Sequence, residues 1–192
     1  MENVIEISEN ASFIYVPNAI NGNEKDLNEL YNLLNQKEKL KFKLYGKECT
    51  MHRKQALFGP ISYKFSGKTI LPEDKMNPLV EKCLNYSNKK YNLNFNTALC
   101  NLYQDGKDYI SPHRDNESQH DKGTPILTFS FGETRTMVIT SISGQELFKQ
   151  KIVLDHGSCG IMFGREFQEK YKHGIPKDKS KKWRISITVR KF

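Results

Sequence analysis

The chain has 192 residues, 37% of them hydrophobic and 27% charged, with a formal net charge of +8. That length fits a single domain with a sizeable core, and 11% aromatic residues is too rich for a disordered chain. No window nears eighteen apolar residues, which argues against a helical membrane span, and Met1-Glu2-Asn3-Val4-Ile5-Glu6 lacks the basic-then-apolar start of a secretory signal.

An intracellular protein is therefore expected, a monomer, working in the nucleus if eukaryotic and otherwise in the cytoplasm. Cys49, Cys83, Cys100 and Cys159 lie far apart, without the C-x-x-C spacing of a zinc or redox site. Reduced thiols are the plain reading. The positive excess suits an anionic partner, of which nucleic acid is the common one. Only six of the 30 basic residues are Arg. Arg offers a planar fork for carboxylates and phosphates, whereas Lys offers generic charge.

In chain order, residues 24–35 read as an amphipathic helix, with Leu27, Leu30, Tyr31 and Leu34 on one face after the turn-like Asn21-Gly22-Asn23. A second helix is expected from about Pro72 to Ser87, its stripe formed by Met76, Leu79, Val80, Cys83 and Leu84, with Pro78 restricting where regular hydrogen bonding begins. From about residue 96 the texture changes to short β-branched and aromatic runs. Strands are expected at 97–103, 109–115, 126–131, 135–142, 151–155, 158–163 and 184–190. Strands following helices without alternation point to a β-sandwich or jelly roll with helices on one side.

The last strand is the clearest piece. Arg184, Ser186, Thr188 and Arg190 alternate with Ile185, Ile187 and Val189, which puts four polar groups on one face. A half-exposed strand with its polar face in water gives the same pattern. Two Arg on one face could also clamp the ends of a short dicarboxylate. His113-Arg114-Asp115 places an imidazole and a carboxylate at i and i+2 of an extended segment, and one distant His would complete a two-His, one-carboxylate triad suited to non-haem Fe(II). His52, His120, His156 and His173 are the candidates, and spacing alone does not choose between His156 and His173. Asn101 and Tyr103 form another i, i+2 pair, able to donate hydrogen bonds to a carboxylate or keto acid.

Taken together, Asn101-x-Tyr103, His113-x-Asp115, His173 and Arg184-x-Ser186-x-Thr188-x-Arg190 resemble the AlkB family of Fe(II)- and 2-oxoglutarate-dependent dioxygenases. Arg53-Lys54-Gln55-Ala56 and Tyr63-x-Phe65-Ser66-Gly67 resemble the nucleotide-recognition lid of members acting on double-stranded DNA, so the likeness covers roughly residues 45–192. It implies a mainly β protein with flanking helices (α+β). A single catalytic domain would span 1–192, with N-terminal helices and a hairpin lid over about 1–95 and a double-stranded β-helix, or jelly-roll, core over about 96–192.

By resemblance, His113, Asp115 and His173 hold Fe(II), which selects His173 as the third ligand. Asn101, Tyr103, Arg184, Ser186, Thr188 and Arg190 then bind the cosubstrate 2-oxoglutarate. Arg53, Tyr63, Lys64, Phe65, Asn116 and Glu117 would contact the target base and its strand. Tyr45-Gly46-Lys47 stands where duplex-acting members carry an aromatic-Gly-Lys hairpin tip that fills the stack when a base is flipped out. Two positions depart from the pattern: Ser186 stands where Asn is common, and Asn116 where Asp is expected of a close relative.

The implied activity is oxidative demethylation of bases such as 1-methyladenine and 3-methylcytosine in DNA, favouring duplex. It would release succinate, CO2 and formaldehyde. An RNA or single-strand demethylase is the alternative, followed by a catalytically silent nucleic-acid binder and a protein oxygenase. The run Lys177-Asp178-Lys179-Ser180-Lys181-Lys182, between His173 and Arg184, is expected to contact phosphates.

Overall fold

The computed structural model describes residues 2–44, 46–65, 68–115, 123–142, 144 and 147–192. In chain order these form β1 (Asn3–Ser8), β2 (Ala11–Val16), α1 (Glu24–Gln36), β3 (Lys41–Leu44), β4 (Lys47–Thr50), β5 (Lys54–Phe58), β6 (Tyr63–Phe65), β7 (Lys68–Ile70) and α2 (Pro78–Tyr91). The second half adds β8 (Thr97–Tyr103), β9 (Ile110–His113), β10 (Ile126–Gly132), β11 (Arg135–Ser141), β12 (Lys149–Leu154), β13 (Cys159–Phe163), α3 (Phe167–Lys170), β14 (Tyr171–Ile175) and β15 (Arg184–Arg190).

Two antiparallel sheets carry the jelly roll. The larger runs β1-β2-β13-β10-β15-β8-β5 and the smaller β12-β11-β14-β9, while β3–β4 and β6–β7 are separate two-stranded hairpins. Side-chain alternation then sorts the core into two layers. Leu102, Leu127, Phe129, Ile185, Ile187 and Val189 leave the large sheet on one side and pack with Leu30, Leu34, Leu79 and Val80 of α1 and α2. Phe13, Ile126, Met137, Ile139, Leu154, Met162 and Ile175 form a second cluster between the sheets.

α1 begins where Asn23 Oδ1 accepts the Asp26 amide at 2.8 Å. α2 begins at Pro78, later than the periodicity suggests. Asn77 caps it by accepting from the Leu79 amide at 2.9 Å, and Pro78 fills the first turn, where a missing N–H costs nothing. Met76 consequently falls outside the helix and is exposed, while Leu79, Val80, Cys83 and Leu84 are buried.

Eight strands, β1 to β7 and β14, escape the pattern reading. β1 and β2 extend the large sheet through β13. β5, the segment resembling a lid, is the opposite edge strand of that sheet, paired with β8. β14 joins β11 to β9 in the small sheet. The water-facing alternative for β15 is overturned, because all seven of its residues are buried between β10 and β8.

Candidate metal and cosubstrate centre

One end of the inter-sheet space opens into a cavity of about 100 Å³ lined from both sheets. From the small sheet come the metal ligands. His113 and His173 face each other in register across β9 and β14, with ring centroids 4.4 Å apart. The register slips between His173 and Ile175, at Gly174. A Cβ there would stand 2.8 Å from the Ile110 carbonyl oxygen, so only glycine allows the backbones this close.

Asp115 follows β9, its amide donating to Gln168 Oε1 at 2.9 Å. Its carboxylate oxygens lie 3.5 Å from His113 Nε2 and 3.7 Å from His173 Nε2. All three ligand atoms fall within 4.8 Å of one another. His113 Nδ1 sits 3.0 Å from the Ser111 carbonyl, which can only accept, so Nδ1 donates and Nε2 is left for the centre.

The protonation states suit metal ligation. Burial alone would raise the Asp115 carboxyl. Arg190 and the hydrogen bond with His113 outweigh it and hold the group well below the usual carboxylate range. Burial pushes the His173 imidazole down to about 3, so it is a neutral ligand at physiological pH. Two imidazole nitrogens and a carboxylate oxygen, buried and convergent, fit an Fe(II) facial triad. His156, the rival for the third position, instead accepts the Gly132 amide at 3.0 Å in a turn. His52 stacks on Tyr109 elsewhere, and His120 lies outside the described residues.

From the large sheet come the cosubstrate candidates. Cross-strand register sets Arg184 against Tyr103, and Ser186 between Asn101 and Ser130. Arg184 is buried, donates to Ser130 Oγ at 2.8 Å and lies 5.3 Å from the centre of the Tyr103 ring. Its Nε and Nη1 have no hydrogen-bond partner among the described residues. Burial first, and Arg135 as well, lower this guanidinium to about 10. Such a buried, under-satisfied cation calls for an anion. Arg190, at the far end of the same face, pairs with Asp115 Oδ2 at 2.8 Å. Thr188 stands beside Thr128, with hydroxyls 3.4 Å apart. The residues present fit a short dicarboxylate held between two guanidinium groups.

The expected substrate contacts are placed unevenly. Arg53 and Tyr63 line the cavity. Arg53 Nε donates to Asn101 Oδ1 at 3.0 Å, and buried Tyr63 stacks on Phe192 with centroids 5.9 Å apart. Lys64 is exposed on β6. Gly46 turns the β3–β4 hairpin at φ +78°, and Lys47 is exposed beside it. Tyr45, Asn116, Glu117 and the side chain of Phe65 lie outside the described residues.

Sequence motifs placed Gln55 only within the lid segment and gave Gln168 and Arg135 no role. Gln55 lines the cavity and donates to Asn101 Oδ1 at 2.8 Å. Gln168 positions Asp115. Arg135 is 2% exposed. It pairs with Asp178 at 2.5 Å, donates to the carbonyls of Asp105, Asp108 and Pro176, and lies 5.6 Å from the Tyr103 ring centre. The scarcity of Arg was the available signal for Arg135.

Comparison with known proteins decides the family. The family model described as "2OG-Fe(II) oxygenase superfamily" matches residues 15–190. The chain belongs to that superfamily. Membership brings Fe(II) and 2-oxoglutarate as the cofactors, and His113, Asp115 and His173 form the metal triad.

Among curated relatives of this oxygenase, "DNA oxidative demethylase ALKBH2" of Homo sapiens is 30% identical over 158 residues, 78% of this chain and 60% of the relative. "Alpha-ketoglutarate-dependent dioxygenase alkB homolog 3" of Homo sapiens is 32% identical over 146 residues, 72% of this chain and 51% of the relative. These relatives identify an AlkB-type oxygenase, and the chain spans roughly half to three-fifths of their length. The solved structure reported as "The structure of OsALKBH1" has a TM-score of 0.62 at 16% identity, covering 93% of this chain and 97% of that one, a likeness of fold. No described helix is long and apolar enough to cross a membrane.

Proposed function

We propose that this oxygenase removes alkyl groups oxidatively from the ring nitrogens of nucleobases, in DNA and preferentially in duplex. The observation that carries it is the joining of the triad and the two buried Arg of β15 in one cavity. The relative named a DNA oxidative demethylase supports the substrate class. The expected hairpin tip at Tyr45-Gly46-Lys47 and the charge of +8 favour duplex DNA, in whichever compartment holds that DNA.

When bound together, Fe(II) and 2-oxoglutarate supply an O2-driven oxidation of the methyl group, yielding succinate, CO2 and formaldehyde. The chain's own part is to bind, orient and exclude water. Arg184 and Arg190 neutralise the two carboxylates, and Tyr103, Ser186 and Thr188 shape the slot between them. Asn101 is held in one orientation by Arg53 and Gln55. Leu99, Ile110, Met137 and Met162 give the cavity apolar walls. Tyr63, Lys64, Phe65, Asn116 and Glu117 would receive the base, which must leave the duplex because methylation at these nitrogens blocks its pairing edge.

The test is formaldehyde release from a duplex oligonucleotide carrying one 1-methyladenine, with Fe(II), 2-oxoglutarate, ascorbate and O2, beside His113→Ala. Turnover requiring both small molecules and absent from the variant establishes the reading. Turnover only on single-stranded DNA or RNA carrying the same lesion selects the alternative substrate. Silence on all three overturns demethylation.

A further inference from the structure

Gln55 stands on β5 opposite Asn101, is 6% exposed and lines the cavity. A chain of donors fixes its amide. A guanidinium can only donate, so the atom that Arg53 Nε meets is the Asn101 carbonyl oxygen. The same oxygen takes its second hydrogen bond from the Gln55 amide nitrogen. Gln55 Oε1 therefore remains as an acceptor, buried and without a hydrogen-bond partner among the described residues. A buried carbonyl oxygen without a donor carries a standing cost, so its ligand is expected to bring one.

The cosubstrate cannot meet that need. At neutral pH 2-oxoglutarate has two carboxylates and a ketone, and no N–H or O–H to offer. A base such as 3-methylcytosine or 1-methyladenine can. Each carries an exocyclic amino group beside the methylated ring nitrogen, and the positive charge of the methylated ring strengthens that N–H as a donor. Placement agrees: β5 is the edge strand leading to the β6–β7 hairpin, and Arg53 and Tyr63 line the same cavity.

Resting on the demethylase reading above, we propose that Gln55 is a specificity-determining residue whose Oε1 accepts a hydrogen bond from the exocyclic amino group of the methylated base. It thereby selects amino-bearing lesions over keto-bearing ones. Gln55 donates to Asn101 with its nitrogen and reads the base with its oxygen, so the two ends of one amide serve cosubstrate and substrate.

The test compares 3-methylcytosine with 3-methyluracil, which share the methylated N3 and differ in amino against carbonyl at C4 and in the positive charge that goes with the amino form. Formaldehyde release and, separately, anisotropy binding with Mn(II) in place of Fe(II) are measured for wild type, Gln55→Met and Gln55→Glu. The preference for 3-methylcytosine should fall about tenfold in Gln55→Met and survive in Gln55→Glu, which keeps an acceptor oxygen. An unmoved ratio in Gln55→Met overturns the proposal and gives the acceptor to a water. Equal losses on both lesions with weaker 2-oxoglutarate binding overturn it too, because Gln55 would then act through Asn101. If Gln55→Met fails to fold, loss of the preference in a folded Gln55→Glu protein, which keeps an acceptor oxygen, overturns the proposal. Wild type silent on both lesions overturns the demethylase reading and this inference with it, whereas an active wild type with an unmoved ratio removes Gln55 alone.

Discussion

Arg190 Nη2 lies 2.8 Å from Asp115 Oδ2, with both side chains almost wholly buried. A residue on the large sheet thus holds a metal ligand that follows the small one. Removing one partner of a buried pair costs about 3–5 kcal/mol, whereas replacing both with apolar groups can be nearly neutral. Arg190→Met should therefore destabilise the metal-free protein by about that amount, and Arg190→Met with Asp115→Leu should recover most of the loss. Urea denaturation of the three proteins checks this. Equal stability of the single and double variants would contradict it.

The neutrality of His173 has a pH signature. Its folded imidazole titrates at about 3 because it is buried, against about 6.5 in an unfolded chain. Between those values the unfolded state binds the extra proton. The stabilisation is complete above about pH 6.5 and is lost as pH falls toward 3, with a limiting slope of about 1.4 kcal/mol per pH unit. Metal-free wild type should lose stability more steeply than His173→Leu between pH 6.5 and 4.5. Parallel profiles would show that His173 is not buried neutral.

Arg184 sets stability against binding. Its guanidinium is buried with Ser130 Oγ and the Tyr103 ring as neighbours, and no carboxylate pairs with it among the described residues. Arg184→Met should match or exceed the thermal stability of ligand-free wild type. It should also lose 2-oxoglutarate affinity by a factor corresponding to about 2–5 kcal/mol. Adding saturating 2-oxoglutarate to the Mn(II)-loaded proteins should raise the Tm of wild type alone. A similar rise in the variant would move the cosubstrate away from this residue.

Lys181 and Lys182 are exposed on the connection between β14 and β15, close in sequence to both His173 and Arg184. If each neutralises a phosphate, replacing both with Ala should reduce the slope of log affinity against log salt by about 0.9 for each contact with duplex DNA. An unchanged slope would return the two lysines to solvent.

Much of the site was legible because it lies on strands whose period of two survives in sequence. β15 matches its expected span of 184–190, and Arg184, Ser186, Thr188 and Arg190 share one face as alternation requires. The third metal ligand was not legible from spacing, because β14 holds only Tyr171-Lys172-His173-Gly174-Ile175 and is interrupted at Gly174 by the slip that aims His173. β1 and β2 escaped notice for a different reason. Both are short runs without strict apolar alternation, and their place in the sheet comes from β2 pairing with β13, about 150 residues away. Gln55 was legible only as part of the lid segment, since its contact with Asn101 is made by the β5–β8 register.

The lysine-rich run before β15 looks by composition like solvated chain, yet its backbone is pinned. The Asp178 amide donates to the Gly106 carbonyl at 2.8 Å, and the Gly106 amide to the Ser180 carbonyl at 2.9 Å. Asp178 grips the buried Arg135, and a side chain on Gly106 would collide with Asp178. The exposed lysine side chains are therefore carried on a peptide backbone that stays registered to the sheet, with Lys177 over the Tyr109 ring and Lys182 3.9 Å from Glu133. An anionic strand settling on those lysines would meet a surface already fixed in place, with little chain entropy left to surrender.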